Sequence, residues 1–203
     1  MNLEEKQLNH VERMKKNSEE NMDHWIKILN TRYPVYMELM QKHKNAGRIL
    51  DVGCGLADIW YSEYVKVNGY SYYCTDISDE TVLHMTNLLS ENGSNTFAKK
   101  GVLDSLPWGQ NEFDIVYASH ILEHCQDIGV VFKEIKRVLK KDGILLFAVP
   151  CGYDDEPAHT HNRELHEWKE DFHNNDWKII ESGQFDFNLN EFYGIARPTT
   201  EAL

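Results

Sequence analysis

A short apolar run ends at Asp51-Val52 and passes directly into Gly53-Cys54-Gly55, and the residues beyond have helical character. Glycines at that place let the chain turn with bare backbone at the carboxyl end of a strand. A ligand can approach such a turn without meeting a Cβ, and N–H groups at the start of a helix favour an anion. From Arg48 onward the same alternation recurs, short apolar runs separated by longer stretches of helical period, which is the pattern of an α/β sheet. The runs cover residues 48–53, 71–76, 95–102 (the weakest), 113–119, 143–150, 177–187 and 191–198. Seven strands are therefore expected. Between the fourth and fifth runs, Ile128, Val131, Phe132, Ile135, Val138 and Leu139 fall on one face of a helix, with Gly143 after its last turn, so this segment is a crossover helix. The last two runs are joined only by Asn188-Leu189-Asn190, which predicts an antiparallel pair at one sheet edge.

Residues 1–45 read as helical: Leu3, Leu8, Val11 and Met14, then Trp25, Ile26 and Leu29, recur at near-helical spacing among charges. Pro34 is expected to interrupt the pattern and to push Tyr33 into an extended conformation. The division predicted is a helical lid over 1–45 and a ligand-binding domain over 46–203. A chain of 203 residues suffices for one buried core, and no apolar run approaches the roughly 18 residues of a membrane span. The first 25 residues lack the basic-then-apolar layout of a secretory signal, so a cytoplasmic location is expected. Cys54, Cys74, Cys125 and Cys151 form no C-x-x-C pair, which signals neither a zinc ribbon nor a thioredoxin-type site. A net charge of -12 disfavours a broad phosphate-binding surface and leans toward a small-molecule partner over nucleic acid.

The ligand at the glycine turn is narrowed by what is missing. A dinucleotide fingerprint needs a third glycine where this chain has Asp58. Asp76, at the end of the second run, is placed to accept from ribose hydroxyls. The site suits an adenosine-like ligand without a pyrophosphate.

Four blocks, ILDVGCG, CTDIS, LPWGQNEFDIVYASHILEH and IKRVLKKDGILLFAVP, resemble in order the motifs of the class I S-adenosylmethionine-dependent methyltransferases, over roughly residues 48–150. The resemblance implies a Rossmann-like, seven-stranded, mostly parallel sheet with helices on both faces and the last strand antiparallel. It implies that Asp51, Gly53 and Gly55 line the methionine part of the cofactor, that Asp76 holds its ribose, and that Ser119 lines the pocket. Where relatives clasp the adenine with an acid after the third strand, this chain has Gly101-Val-Leu-Asp-Ser-Leu-Pro107; the contact then falls to the Leu103 backbone or to Asp104, whose other reading is a turn acid.

The segment Ser119-His-Ile-Leu-Glu-His124 sets His120, Glu123 and His124 three and four positions apart, on one face if helical, at the carboxyl end of the sheet. Imidazole and carboxylate together can act as a general base or bind a divalent metal. The string also matches the H-x-x-E-H of inverted zinc peptidases. It resembles more closely, in its position, the E-x-x-E-H metal ligands of ubiquinone-biosynthetic and small-RNA 2′-O-methylating enzymes, with His120 replacing the first glutamate. That resemblance implies a fourth ligand from His159 or His161 in the loop after the fifth run. The alternative for His159, His161, His166 and His173 is exposure beside a helix that buries Trp168 and Phe172. The expected activity is methyl transfer from S-adenosylmethionine to a small-molecule acceptor, through oxygen; the alternative is a cofactor-binding subunit without turnover. Trp25, Tyr33, Tyr36 and Trp108 are candidate pocket walls, though such aromatics are more often core.

Overall fold

In the computed structural model, residues 9, 12, 16, 22–55, 57, 60–91, 97–153, 157–186 and 190–199 are described. The elements run α1 (Met22–His43), β1 (Arg48–Val52), a π-helical segment (Trp60–Val65), β2 (Ser71–Asp76), α2 (Asp79–Glu91), β3 (Phe97–Lys100), β4 (Phe113–Ser119), a 3₁₀ turn (Leu122–His124), α3 (Ile128–Val138), β5 (Leu139–Pro150), α4 (Leu165–Asn174), β6 (Trp177–Asp186) and β7 (Asn190–Pro198). The seven strands form one sheet in the order β3-β2-β1-β4-β5-β7-β6. β3 to β5 pair in parallel, and β7 lies antiparallel to both β5 and β6.

Alternation along the strands builds two cores. Leu50, Tyr73 and Val116 point into a cluster with Val131, Phe132 and Ile135 of α3 and Trp168 and Phe172 of α4. Their neighbours Ile49, Tyr72 and Ile115 point the other way, into a cluster with Tyr36, Met37 and Met40 of α1, Trp60 and Tyr61, and Met85 and Leu89 of α2. Covering both faces is what lets strands be apolar throughout. α3 starts at Asp127, whose carboxylate accepts from the amides of Gly129 and Val130; a cap of this kind contributes about 1 kcal/mol. The helix ends at Val138, one residue earlier than its apolar period suggests. Leu139 already pairs with Phe113, so Gly143 lies within β5 and not beyond a helix.

The expected break at Pro34 does not occur. α1 runs through Pro34, Tyr33 is helical, and Arg32, Tyr36, Met37 and Met40 are buried on either side. Burial of that apolar face, at roughly 1.5–3 kcal/mol per large side chain, outweighs the roughly 3 kcal/mol that an internal proline costs. Trp108 is also core, wedged at right angles to Tyr73 and Phe113, with its indole N–H donating to Thr75 Oγ1 at 2.7 Å. The side chain of Trp25 and residue Asp58 lie outside the described residues. Among the described residues no helix is long and apolar enough to cross a membrane.

Candidate active site

The strand order reverses between β1 and β4, and open α/β sheets bind ligands in the crevice beyond the carboxyl ends of strands at such a point. A cleft of about 100 Å³ opens there, lined by Tyr33, Asp51, Gly53, Cys54, Ala57, Trp60, Tyr117 and Ser119. Asp51, Gly53 and Ser119 of the expected cofactor set are thus brought together.

The glycine turn is held from behind. Gly53 and Cys54 donate their amides to Thr75 O at 2.7 and 3.2 Å, and Gly55 donates to Asp76 Oδ2 at 3.0 Å. These N–H groups are therefore engaged by the end of β2, contrary to the expectation that they face a ligand. The glycines serve geometry instead: both have positive φ, +69° and +51°, and a Cβ on Gly53 would lie 2.4 Å from Ile121. Asp76 is buried, which raises its pKa, and accepts further from Ser78 N at 2.9 Å. Its carboxylate has lone pairs left for a ribose. Asp51 is buried and accepts from the Tyr72 hydroxyl at 2.6 Å. Desolvation, aided by the charge of Asp76, raises its pKa to about 7 against the pull of that hydrogen bond. Leu103 packs against the core, and Asp104 is exposed; neither lines the cleft.

The histidine segment is not the continuous helix expected. His120 has φ +51°, its amide donates to Ala148 O, and only Leu122–His124 form a turn. A non-glycine residue with left-handed backbone splits the three side chains between two environments. His120 points toward Glu191 of β7, its Nε2 2.6 Å from Glu191 Oε2, with Nδ1 3.6 Å from Glu123 Oε1. Burial alone would lower its pKa, but bonding to Glu123 and Glu191 wins and raises it to about 9. Glu191, fully buried, also pairs with Arg32 at 2.6 Å and accepts from the Tyr36 hydroxyl. His124 turns the other way: its Nδ1 donates to Ala158 O at 3.0 Å and its ring lies 4.7 Å from that of His159. Burial lowers the pKa of His124, keeping the imidazole neutral.

Glu123, His124 and His159 offer ligand atoms within 4.8 Å of one another. Glu123 Oε2 is buried and makes no hydrogen bond, which suits a donor set waiting for a cation. The carbonyl of Ala158 fixes the orientation of the His124 ring through Nδ1. His120 and His161 stand outside this group; His161 Nδ1 accepts from Arg163 at 3.1 Å. The zinc-peptidase arrangement, with His120 and His124 converging on one ion, is thus not what the backbone builds.

Arg32 and Glu191 were not legible as site residues in the sequence, and Tyr36 was legible only as a candidate pocket wall, not as a partner of a buried acid. The available signal is an Arg and a Tyr four apart on an otherwise apolar helical face, and a lone acid inside an apolar strand.

Residues 50–147 match the family model described as a methyltransferase domain. The chain is 28% identical over 104 residues to a malonyl-[acyl-carrier protein] O-methyltransferase of Erwinia pyrifoliae, covering 51% of this chain and 37% of that protein. It is 27% identical over 139 residues to the uncharacterized methyltransferase YcgJ of Bacillus subtilis, covering 60% and 53%. The chain thus spans roughly a third to a half of the length of these curated relatives. Among solved structures, the 1,6-didemethyltoxoflavin-N1-methyltransferase of Burkholderia thailandensis, with 1,6-didemethyltoxoflavin and S-adenosylhomocysteine bound, superposes with a TM-score of 0.73 at 18% identity over 96% of this chain and 90% of that one, a likeness of fold. Over residues 50–147 the chain carries a methyltransferase domain, and the four blocks and the cleft at the switch point agree with the class I S-adenosylmethionine-dependent type.

Proposed function

We propose that the protein transfers the methyl group of S-adenosylmethionine to an oxygen of a small-molecule acceptor, and that a divalent cation held by Glu123, His124 and His159 assists. The observation that carries this reading is the pairing of a cleft built on the β1 turn with a buried, incompletely bonded Glu123, on the segment that follows β4, beside the imidazoles of His124 and of His159 from the loop after β5. The sulfonium already makes the methyl group electrophilic, so the chain has to bind, align and exclude water. Asp76 takes the ribose, and Asp51 the amino-acid end. A cation at the second group lowers the pKa of a neighbouring hydroxyl. His120, held as an imidazolium between Glu123 and Glu191, carries positive charge beside that group and is no base. The acidic balance of the chain, -12, supports a small acceptor over RNA.

Calorimetry with S-adenosylmethionine and S-adenosylhomocysteine tests the donor site: both bind, and Asp76→Ala weakens both. Titration with Mn²⁺ and Zn²⁺ tests the second group: one of them binds, Glu123→Ala abolishes that binding, and S-adenosylhomocysteine affinity stays intact. Absence of metal binding by either ion rejects the assisted form. Labelled methyl transfer into a low-molecular-mass extract by the isolated chain identifies turnover, and its absence favours a cofactor-binding subunit.

A further inference from the structure

The cation group draws its ligands from two separate parts of the chain. Glu123 and His124 belong to the 3₁₀ turn after β4, whereas His159 lies in the loop between β5 and α4. The group is complete only while loop and turn are held together. Three of the bonds that hold them converge on one atom. The carbonyl oxygen of Glu123 accepts from the amide of Thr160 at 2.8 Å, from the amide of His161 at 3.0 Å and from the Thr160 hydroxyl at 3.3 Å. That hydroxyl has a single proton, which it shares between this oxygen and the carbonyl of Cys125. On the other side of His159, the carbonyl of Ala158 accepts from His124 Nδ1 at 3.0 Å.

Thr160 is therefore the chain neighbour of one ligand and is bonded, through both its amide and its side chain, to the backbone that carries the other two. The residue is exposed, so its hydroxyl joins loop to turn without adding to the apolar core. A loop left free would have to be ordered at the moment an ion binds, and that ordering costs affinity. We propose that Thr160 is the positioning residue of the cation site: its hydroxyl locks the loop onto the turn and presents His159 to Glu123 and His124 before an ion arrives. The assignment rests on the cation reading above and adds to it the residue that makes the third ligand available.

Thr160→Val keeps the shape of the side chain and removes the hydroxyl, whereas Thr160→Ser keeps the hydroxyl. By calorimetry with Zn²⁺ or Mn²⁺, whichever the unsubstituted chain binds, affinity should fall about tenfold or more in Thr160→Val, as when a residue that orients a metal ligand is lost, and stay within about threefold in Thr160→Ser. In a His159→Ala background, Thr160→Val should cost less than about twofold, because the ligand it presents is already gone. Full affinity in Thr160→Val, or a serine variant as weak as the valine one, overturns the assignment. An equal loss with and without His159 overturns it too, since the residue would then act on the fold at large. Should His159→Ala bind no ion, the serine variant decides. If the unsubstituted chain binds neither ion, the cation reading itself fails, and this assignment with it.

Discussion

The imidazole Nε2 of His120 lies 2.6 Å from Oε2 of Glu191, joining the segment after β4 to β7 inside the protein. Arg32 and Tyr36 bind the same carboxylate from α1, so one buried acid ties three parts of the chain together. Removing one partner of such a group leaves uncompensated charge in a dry interior. Glu191→Gln, nearly isosteric, should cost about 3 kcal/mol or more. In a domain of this size that is a fall in Tm of about 6–12 °C by calorimetry. A change below about 1 kcal/mol would show that the network is merely tolerated.

The same contact has a pH signature. The folded pKa of His120, about 9, lies above the value near 6.5 of an unfolded chain. Its stabilising contribution is therefore fully present below about pH 6.5 and disappears as pH rises through about 9. Urea unfolding between pH 6 and 10 should show stability declining with pH, and His120→Gln should flatten that decline. An unchanged slope in the variant would assign the decline to other groups.

Asp51 gives cofactor binding the opposite dependence. Without ligand its pKa is about 7, so the folded chain holds this proton below neutrality. The α-ammonium group that S-adenosylmethionine and S-adenosylhomocysteine share favours the ionised form, and binding below pH 7 must then expel the proton. Affinity for S-adenosylhomocysteine should fall as pH drops below about 7, by at most tenfold per unit, with measurable proton release in buffers of different ionisation enthalpy. Asp51→Asn should bind more weakly at pH 8 and lose the dependence.

Gly53 faces both a steric and a backbone demand. A Cβ there lies 2.4 Å from Ile121 Cδ1 while φ is +69°. Gly53→Ala should cost about 1–3 kcal/mol and weaken donor binding. Adding Ile121→Ala should relieve the collision and leave the backbone strain, so recovery in thermal unfolding should be partial. Complete recovery would mean that φ there carries no strain.

The strands and the glycine turn were legible because their signals are local. Residues 115–118 form a continuous apolar run without glycine, and Gly53 and Asp76 sit at strand ends where only a ligand or a tight turn asks for them. The failures are tertiary. Pro34 reads as a break until the burial of Tyr36 and Met40 around it is known. His120 and His124 share a face in any regular helix, and only the pairing of the His120 amide with Ala148 O shows why they part. Glu191 reads only as a lone acid in an apolar strand. Its partner Tyr36 is 155 residues away, beyond the reach of any periodicity.

β7 lies between β5 and β6, although it is the last of the seven strands in chain order. On the ribosome, β6 therefore emerges with no strand to pair with, and the flank of β5 stays open until residues 190–198 have been made. The donor cleft between β1 and β4 can assemble early from neighbouring segments. The pocket around His120 waits for Glu191, so the nascent chain gains a place for the methyl donor before it has the complete wall beside it. In that interval the flank of β5 is an unpaired apolar strand edge, the kind of surface through which partly made chains aggregate.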